Sequence, residues 1–428
     1  MILLCLIGML TEITARKSWR CLENQKRRGA NRLKVLQLCL KVPFPPSDGG
    51  CIAMHNMQKS WWSNDVRLKV LTFNTIKHTV DLQKLPPDYL SNTNIEGVFL
   101  DNRIKPVDAF KALLAGESYN IKRFISVDFE EKLKSVLSIE QYDVVQLESL
   151  YMAPYIEAIR AVSKAKIVFR PHNIEYKIWQ RLAKNTINPI KKFYLNILTK
   201  QLKKYEQSIL NKVDLLLPLT WDDAQLLTSM QCRKSMMVLP IGVNANDYAV
   251  APQPNNQVVF HLGAMDWLPN VEGIRWFIKN VWPLVIKENT NAILSLAGKG
   301  MPNDLLQLNS ERLKIVDYIA DAPSFFKDGQ VMVVPLLSGS GMRVKIIEGM
   351  AMGKAIVTTS IGLEGIIAKH QKELLVADSA EDFAAAVLQL LNDNSMVERL
   401  GNEARELVQT RYDLQFLGKK WKEFVENN

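Results

Sequence analysis

Short apolar runs rich in Val, Ile and Leu recur from residue 33 onward and alternate with longer stretches of helical periodicity. The first half carries LKVLQLCL (33–40), RLKVLTF (67–73), DVVQLES (143–149), KIVFRPHN (166–173) and DLLLPLT (214–220). The second carries VVFHLG (258–263), ILSLAG (293–298), LKIVDY (313–318), VMVVPL (331–336), AIVTTS (355–360) and LLVAD (374–378). Runs apolar on both faces and separated by helix-length segments predict parallel strands covered on both sides. Two such series predict two doubly wound, Rossmann-like α/β domains, 33–243 and 258–409. The polar, Pro-containing stretch NANDYAVAPQPNNQ (244–257) is the linker between them. Three helices follow in the C-terminal stretch. Ser379 with Asp382 forms a capping box for the first, Ser395 precedes the second and Asp413 the third. The last helix, 410–428, sets Trp421 and Phe424 on one face, ready to dock on an apolar surface.

Composition narrows this picture. A chain of 428 residues is too long for one ordinary core, and 47% hydrophobic with 23% charged residues describes a soluble globular protein. No apolar stretch approaches the roughly 20 residues of a membrane-spanning helix. The nearest, MILLCLIGML, opens an N-terminal extension (1–32) that reads either as a misplaced start or as a short membrane-touching leader. The net charge of +10 is uneven: residues 1–34 hold eight Lys/Arg against Glu12 and Glu23, leaving about +4 for the body. That balance argues against a nucleic-acid partner. Five scattered cysteines without a C-x-x-C fit a reducing cytoplasm, with neither a disulfide framework nor a zinc site.

In open parallel sheets, ligands bind beyond the C-terminal ends of the strands, and that rule selects the candidate chemistry. PFPPSDGG (43–50) follows the first strand, and Gly49 and Gly50 either bring backbone N–H groups close to a ligand or merely make a tight turn. No G-x-G-x-x-G and no GK[ST] occurs, so neither a nicotinamide fingerprint nor an NTPase phosphate loop is available. His172 and Asn173 stand at another strand end, and Glu148 at a third, where it either faces the same cleft or caps a helix. Gly263 in FHLGAMDWLPN and Gly298 in LAGKG sit where a ligand would lie over a strand end.

The richest stretch is GSGMRVKIIEGMAMGKAIV (339–357). The glycine-rich turn with Gly339, Ser340 and Gly341 leads into a helix from about Arg343, with Ser340 as its N-cap. Free N–H groups, the helix dipole, Arg343 and Lys345 together suit a phosphate or diphosphate. Glu348, three residues beyond Lys345, suits the two adjacent hydroxyls of a sugar; the alternative is an ordinary Lys345–Glu348 surface pair.

At this stretch the sequence resembles glycosyltransferase family 4, the retaining enzymes of the GT-B fold also known as glycosyl transferases group 1. IIEGMAMGKAIV is similar to the second half of the family's Glu-x7-Glu motif, and GSGMRVK, PFPPSDGG and GAMDWLPN are similar to segments of a bacterial sugar-transferase branch. The resemblance covers about residues 33–425. It implies two Rossmann-like domains facing each other across a cleft, a first domain for the acceptor, a second for the nucleotide-sugar donor, and a last helix returning to the first domain. It implies that Arg343 and Lys345 clamp the diphosphate, with Gly49 and Gly50 approaching it from the first domain. It further implies that Glu348 holds the ribose and that His172 lies beside the donor sugar. The chain departs from the family at Ser340, where relatives carry the first Glu of the motif, and GAMDWLPN lacks the usual Lys/Arg pair.

The expected activity is therefore transfer of a sugar from a nucleoside diphosphate to an acceptor hydroxyl, on a glycan or a lipid-linked glycan of envelope polysaccharide synthesis, with retention. No D-x-D occurs, so neither a metal nor another cofactor is expected. Another two-domain sugar-nucleotide enzyme, such as an epimerase or an inverting transferase, is the rival, and an inactive nucleotide-sugar-binding relative is the non-enzyme alternative. The basic segment NPIKKFYLNILTKQLKKYEQSILNK (188–212) is either a solvated helix or a contact with anionic lipid. The second choice places the protein in the cytoplasm, peripheral on the inner face of the membrane.

Overall fold

The computed structural model describes residues 32–248, 250, 254–317, 319, 322–339 and 341–428. Residues 1–31 of the N-terminal extension, Ser340 and part of the linker lie outside the described residues. Two parallel sheets organise the rest. The first holds β1 (Lys34–Cys39), β2 (Arg67–Thr75), β3 (Glu96–Leu100), β4 (Val144–Glu148), β5 (Lys166–Arg170), β6 (Leu215–Leu216) and β7 (Ser235–Met236), in the order β3-β2-β1-β4-β5-β6-β7. The second holds β8 (Val258–Leu262), β9 (Ile293–Ala297), β10 (Leu313–Val316), β11 (Val331–Val334), β12 (Ala355–Thr358) and β13 (Leu375–Val376), in the order β10-β9-β8-β11-β12-β13. Every apolar run named from the sequence became a strand. The two strands it did not announce are β3, an edge strand with Phe99 63% exposed, and the two-residue β7. Neither is apolar on both faces, which is why the pattern is silent there.

The direction of strand addition reverses between β1 and β4 in one sheet and between β8 and β11 in the other. Register fixes both points: Val35 stands opposite Leu68 and Val144, and Val331 opposite Val259 and Ala355. Such switch points open a crevice at the carboxyl ends of the flanking strands. Glu148 is the last residue of β4, and the segments that leave the other strand ends carry Gly49–Gly50, Gly263 and the glycine-rich turn before Val344.

Eight helices bear on the cleft or hold it in place: α1 (Gly49–Trp62), α2 (Glu175–Asn185), α3 (Pro189–Ile209), α4 (Trp221–Ser229), α5 (Leu268–Trp276), α6 (Val344–Ala351), α7 (Asn394–Arg411) and α8 (Leu414–Asn427). In α1, Asp48 caps the start by accepting from the Cys51 N–H at 3.0 Å. Its apolar residues Cys51, Met54, Met57 and Trp61 recur at helical spacing and are buried. Trp61 meets Trp421 of α8 edge-on, with ring centroids 5.1 Å apart, and the Trp421 indole N–H donates to Gln146 Oε1 at 2.9 Å. The last helix thus completes the core of the first sheet. The chain passes between the two sheets twice, and the passages touch: Val243 N–H donates to the Tyr412 carbonyl at 2.8 Å.

Two expected helix starts are corrected. Asp393, not Ser395, caps α7, because its carboxylate lies two residues earlier and accepts from the Met396 N–H at 3.0 Å. The helix after the glycine-rich turn begins at Val344, with Arg343 in the cap position and no side-chain cap.

Candidate active site

On the second-domain side, β8 delivers His261 and then Gly263, β11 delivers the turn, and α6 carries Lys345 and Glu348. The Lys345 ammonium donates to Asn270 Oδ1 at 2.9 Å and lies 3.5 Å from His261 Nε2. His261 Nδ1 is 2.8 Å from the Val333 carbonyl. That carbonyl requires the proton on Nδ1 and turns the Nε2 lone pair toward the lysine. Burial, with the Lys345 charge beside it, holds the His261 pKa well below its ordinary value, so the ring stays neutral. Asn270 is oriented in turn by its own amide, which donates to the Ala264 carbonyl at 2.7 Å.

Two glycines make room for this lysine. A Cβ on Gly263 would stand 2.2 Å from Lys345 Nζ, and a Cβ on Gly298, where φ is 157°, would stand 1.7 Å from the Gly263 carbonyl oxygen. Arg343 is buried, with its guanidinium 5.2 Å from the centroid of the Trp267 ring. Gly339, at φ 119°, sits where a Cβ would press the same guanidinium at 2.7 Å. Burial pulls the Arg343 pKa to about 10 and that of Lys345 to about 7, Arg343's charge adding to the second effect. Glu348 does not pair with Lys345. It accepts from the Tyr248 hydroxyl at 3.0 Å, and burial pushes its pKa up. The surface-pair alternative for Lys345 and Glu348 is thereby removed.

On the first-domain side, His172 Nε2 lies 2.7 Å from Glu148 Oε2, which also accepts from Arg170 at 3.3 Å. Gln37 and Gln146 donate to the other oxygen at 2.8 and 2.7 Å. Burial alone would raise the Glu148 pKa; the Arg170 charge and the His172 and Gln37 bonds override it and hold it at about 2. Glu148 neither faces the cleft nor caps a helix, as its position in the sequence suggested. It is fully buried and sits beneath His172. Gly49 and Gly50 open α1, where a Cβ on Gly49 would meet nothing within 4 Å and one on Gly50 would meet Asp48 and Lys41. Neither touches the Arg343 group.

The two sides meet at the turn. A Cβ on Gly341, at φ 80°, would come 2.4 Å from Asn173 Oδ1 and 3.6 Å from the His172 carbonyl oxygen. Arg181 of α2 pairs with Glu364 at 3.0 Å and donates to the Gly339 carbonyl. The structure therefore gathers Arg343, Lys345, Glu348, Gly263, Gly298 and Gly339 into one site and sets Gly341 against the His172–Asn173 loop. Sequence reasoning missed His261, Trp267, Asn270 and Tyr248 as partners. The first three lie in FHLGAMDWLPN, a stretch singled out for its glycine, its family resemblance and its lack of a Lys/Arg pair, not for these side chains. Among the described residues, no helix is long and apolar enough to cross a membrane, and no group of three or more His, Cys, Asp and Glu is placed to hold a metal ion.

Residues 256–393 match the family model for glycosyl transferases group 1. The matched stretch runs from the start of the second sheet to the helix that follows β13. The chain is also 23% identical over 398 residues to a 44.6 kDa protein in the cps region of Klebsiella pneumoniae, covering 89% of this chain and 96% of that one. Among solved structures it is similar to sucrose-phosphate synthase from Thermosynechococcus elongatus, with a TM-score of 0.68, 15% identity and 92% and 99% of the two chains covered. It is similar as well to Anabaena HepE in complex with UDP-glucose, with a TM-score of 0.65, 13% identity and 93% and 100% covered. The architecture is GT-B: two Rossmann-like domains, each with its strand ends turned to a common cleft.

Proposed function

We propose that this group 1 glycosyltransferase moves a sugar from UDP-sugar to an acceptor hydroxyl on a glycan or lipid-linked glycan, with retention of configuration. One observation carries the reading. Arg343 and Lys345 are pressed into a glycine-shaped space at the switch point of the second sheet, and Lys345 is held there by neutral partners. A diphosphate suits two cations brought so close together beside a helix start. As the sugar leaves, negative charge grows on the diphosphate, and both cations with the first N–H groups of α6 stabilise it. No cofactor enters this scheme. Glu348 takes the ribose hydroxyls, and the His172 ring, oriented by Glu148, lies beside the sugar. Retention follows from same-face attack, with the leaving phosphate accepting the acceptor's proton. The choice of uridine is supported by the Anabaena neighbour solved with UDP-glucose, and polysaccharide synthesis by the cps-region relative.

The test is to incubate the full chain with a panel of UDP-sugars, with and without envelope extract, and to read release of UDP and the anomer of any product. Acceptor-dependent release with a retained anomer is expected. Conversion of the donor without an acceptor would replace the transferase by an epimerase, and an inverted anomer would remove same-face attack.

Contact with an anionic membrane is part of the same reading. The turn into α3 exposes Ile187 at 97%, Ile190 at 80% and Phe193 at 69%, beside Lys184, Lys191 and Lys192. The rest of α3 turns Leu195, Leu198, Leu202 and Ile209 inward. Absence of co-flotation with phosphatidylglycerol vesicles at low salt would remove this contact.

A further inference from the structure

Two second-domain loops meet one first-domain side chain at the rim of the cleft. Arg181 of α2 donates to the Gly339 carbonyl in the turn after β11. The same guanidinium holds the Glu364 carboxylate, in the segment after β12, at 3.0 and 3.4 Å. Packing seats that segment as well as charge does. A Cβ on Gly365, at φ 80°, would come 2.4 Å from Thr220 Cγ2, and Thr220 caps α4 by accepting from the Asp223 N–H at 3.0 Å. One turn away from Arg181 on its own helix stand Lys177 and Lys184, so its carboxylate partner has to come from another element.

This corner borders the donor site. Gly339, whose carbonyl Arg181 binds, is also the residue whose Cβ would press on the Arg343 guanidinium. Burial lowers the Arg343 pKa; the Glu364 charge works against that pull and the Arg181 charge adds to it. Asp223, raised chiefly by burial, feels Glu364 and Arg181 too. Glu364 is therefore within electrostatic reach of a cation on each domain and of one first-domain carboxylate. Here it is paired with Arg181. A separation of the domains that withdraws α2 takes Arg181 away, but Arg343 stays, because it belongs to the same domain as Glu364. A carboxylate turned onto Arg343 competes with any phosphate for that guanidinium.

Building on the transferase reading above, we infer that Glu364 exchanges partners as the cleft closes. Arg181 draws Glu364 off Arg343 when the two domains meet, and in the open molecule Glu364 turns to Arg343 and weakens its grip on the diphosphate. Arg181 is thus a positioning residue, acting on the donor through Glu364 and the Gly339 turn. Donor binding and closure then favour each other by the same factor, as linkage requires.

The test titrates UDP by calorimetry into the full chain and three variants. Arg181→Met keeps the aliphatic stem, removes the charge and is expected to weaken UDP about tenfold. Adding Glu364→Gln to it removes the competitor and should restore affinity to within about threefold of the unaltered protein. Loss of a structural tie predicts the reverse, since a second broken contact does not repair the first. The pair is half-exposed, so urea unfolding should change little in any variant. A double variant as weak as Arg181→Met overturns the exchange of partners, and so does an Arg181→Met protein that binds UDP as the unaltered chain does. Should Arg181→Met fail to fold, Glu364→Gln alone decides: it is expected to bind UDP at least as tightly as the unaltered chain, and weaker binding overturns the proposal. Failure of the transferase reading is a different result, namely no affinity of the unaltered chain for UDP.

Discussion

On the first-domain side of the cleft, Glu148 is met by Arg170, His172, Gln37 and Gln146, and this network runs on through Gln146 to Trp421 and through Gln37 to Gln58. On the second-domain side, Lys345 is met by an asparagine and a neutral histidine, and Glu348 by a tyrosine hydroxyl. Both sides bury charge, yet the first ties its carboxylate directly to a cation, whereas Lys345 and Glu348 each hydrogen-bond to neutral groups. A buried charge that is paired and fully hydrogen-bonded rigidifies its surroundings. One held by neutral groups keeps its field for something else, at the cost of desolvation visible in the lowered Lys345 pKa. One wall is tied together by its own ion pair; the other, in the proposed reading, holds a ligand.

Breaking each wall should therefore damage a different property. Glu148→Ala leaves Arg170 buried without its carboxylate and is expected to cost about 3–5 kcal/mol of stability, read by urea unfolding. Unchanged unfolding would show the network to be ornamental. Arg343→Ala and Lys345→Met should each lower kcat by about 10²–10³-fold, the scale of losing one charge-stabilising donor, with little change in unfolding. If they unfold the protein and Glu148→Ala does not, the contrast between the walls is reversed.

Smaller effects sharpen the second wall. Lys345 carries its proton below about pH 7 in the free protein and loses it above. UDP affinity should then fall as pH rises through 7, and this component should vanish in Lys345→Met. The difference between the two proteins cancels the ionisation of UDP itself. Tyr248→Phe should weaken UDP about three- to tenfold, from the loss of one hydrogen bond that orients Glu348. Binding of 2′-deoxy-UDP should change less. A tighter UDP complex would mean that Tyr248 competes with the ribose.

How much of this was legible beforehand follows the same division. The strands of both sheets announced themselves because burial on two faces writes an unbroken apolar run. Arg343, Lys345 and Glu348 were legible because three elements of one site lie within six residues, on one turn and one helix. Tyr248 was not, for its contact with Glu348 spans 100 positions and arises from how the linker folds back over α6. Arg405 ties that linker down by donating to the Ala245 and Tyr248 carbonyls. His261 was hidden inside a strand pattern, where one polar residue reads as noise. Glu148 was noticed but misplaced, since position after a strand does not reveal that Gln37 and Arg170 would close over it. Asn270 and Trp267 needed the β8 loop and α6 in space together.

The meeting of Val243 with Tyr412 also determines how the cleft can move. Two connections set far apart would clamp the lobes like a strap at each end. Here the outgoing and returning chains run side by side and share a hydrogen bond, so together they act as one pivot. Rotation about a single pivot moves nearby atoms little and distant atoms most. Groups on the far rim of the cleft therefore travel the longest path between an open and a closed molecule, while residues beside Val243 and Tyr412 scarcely change neighbours.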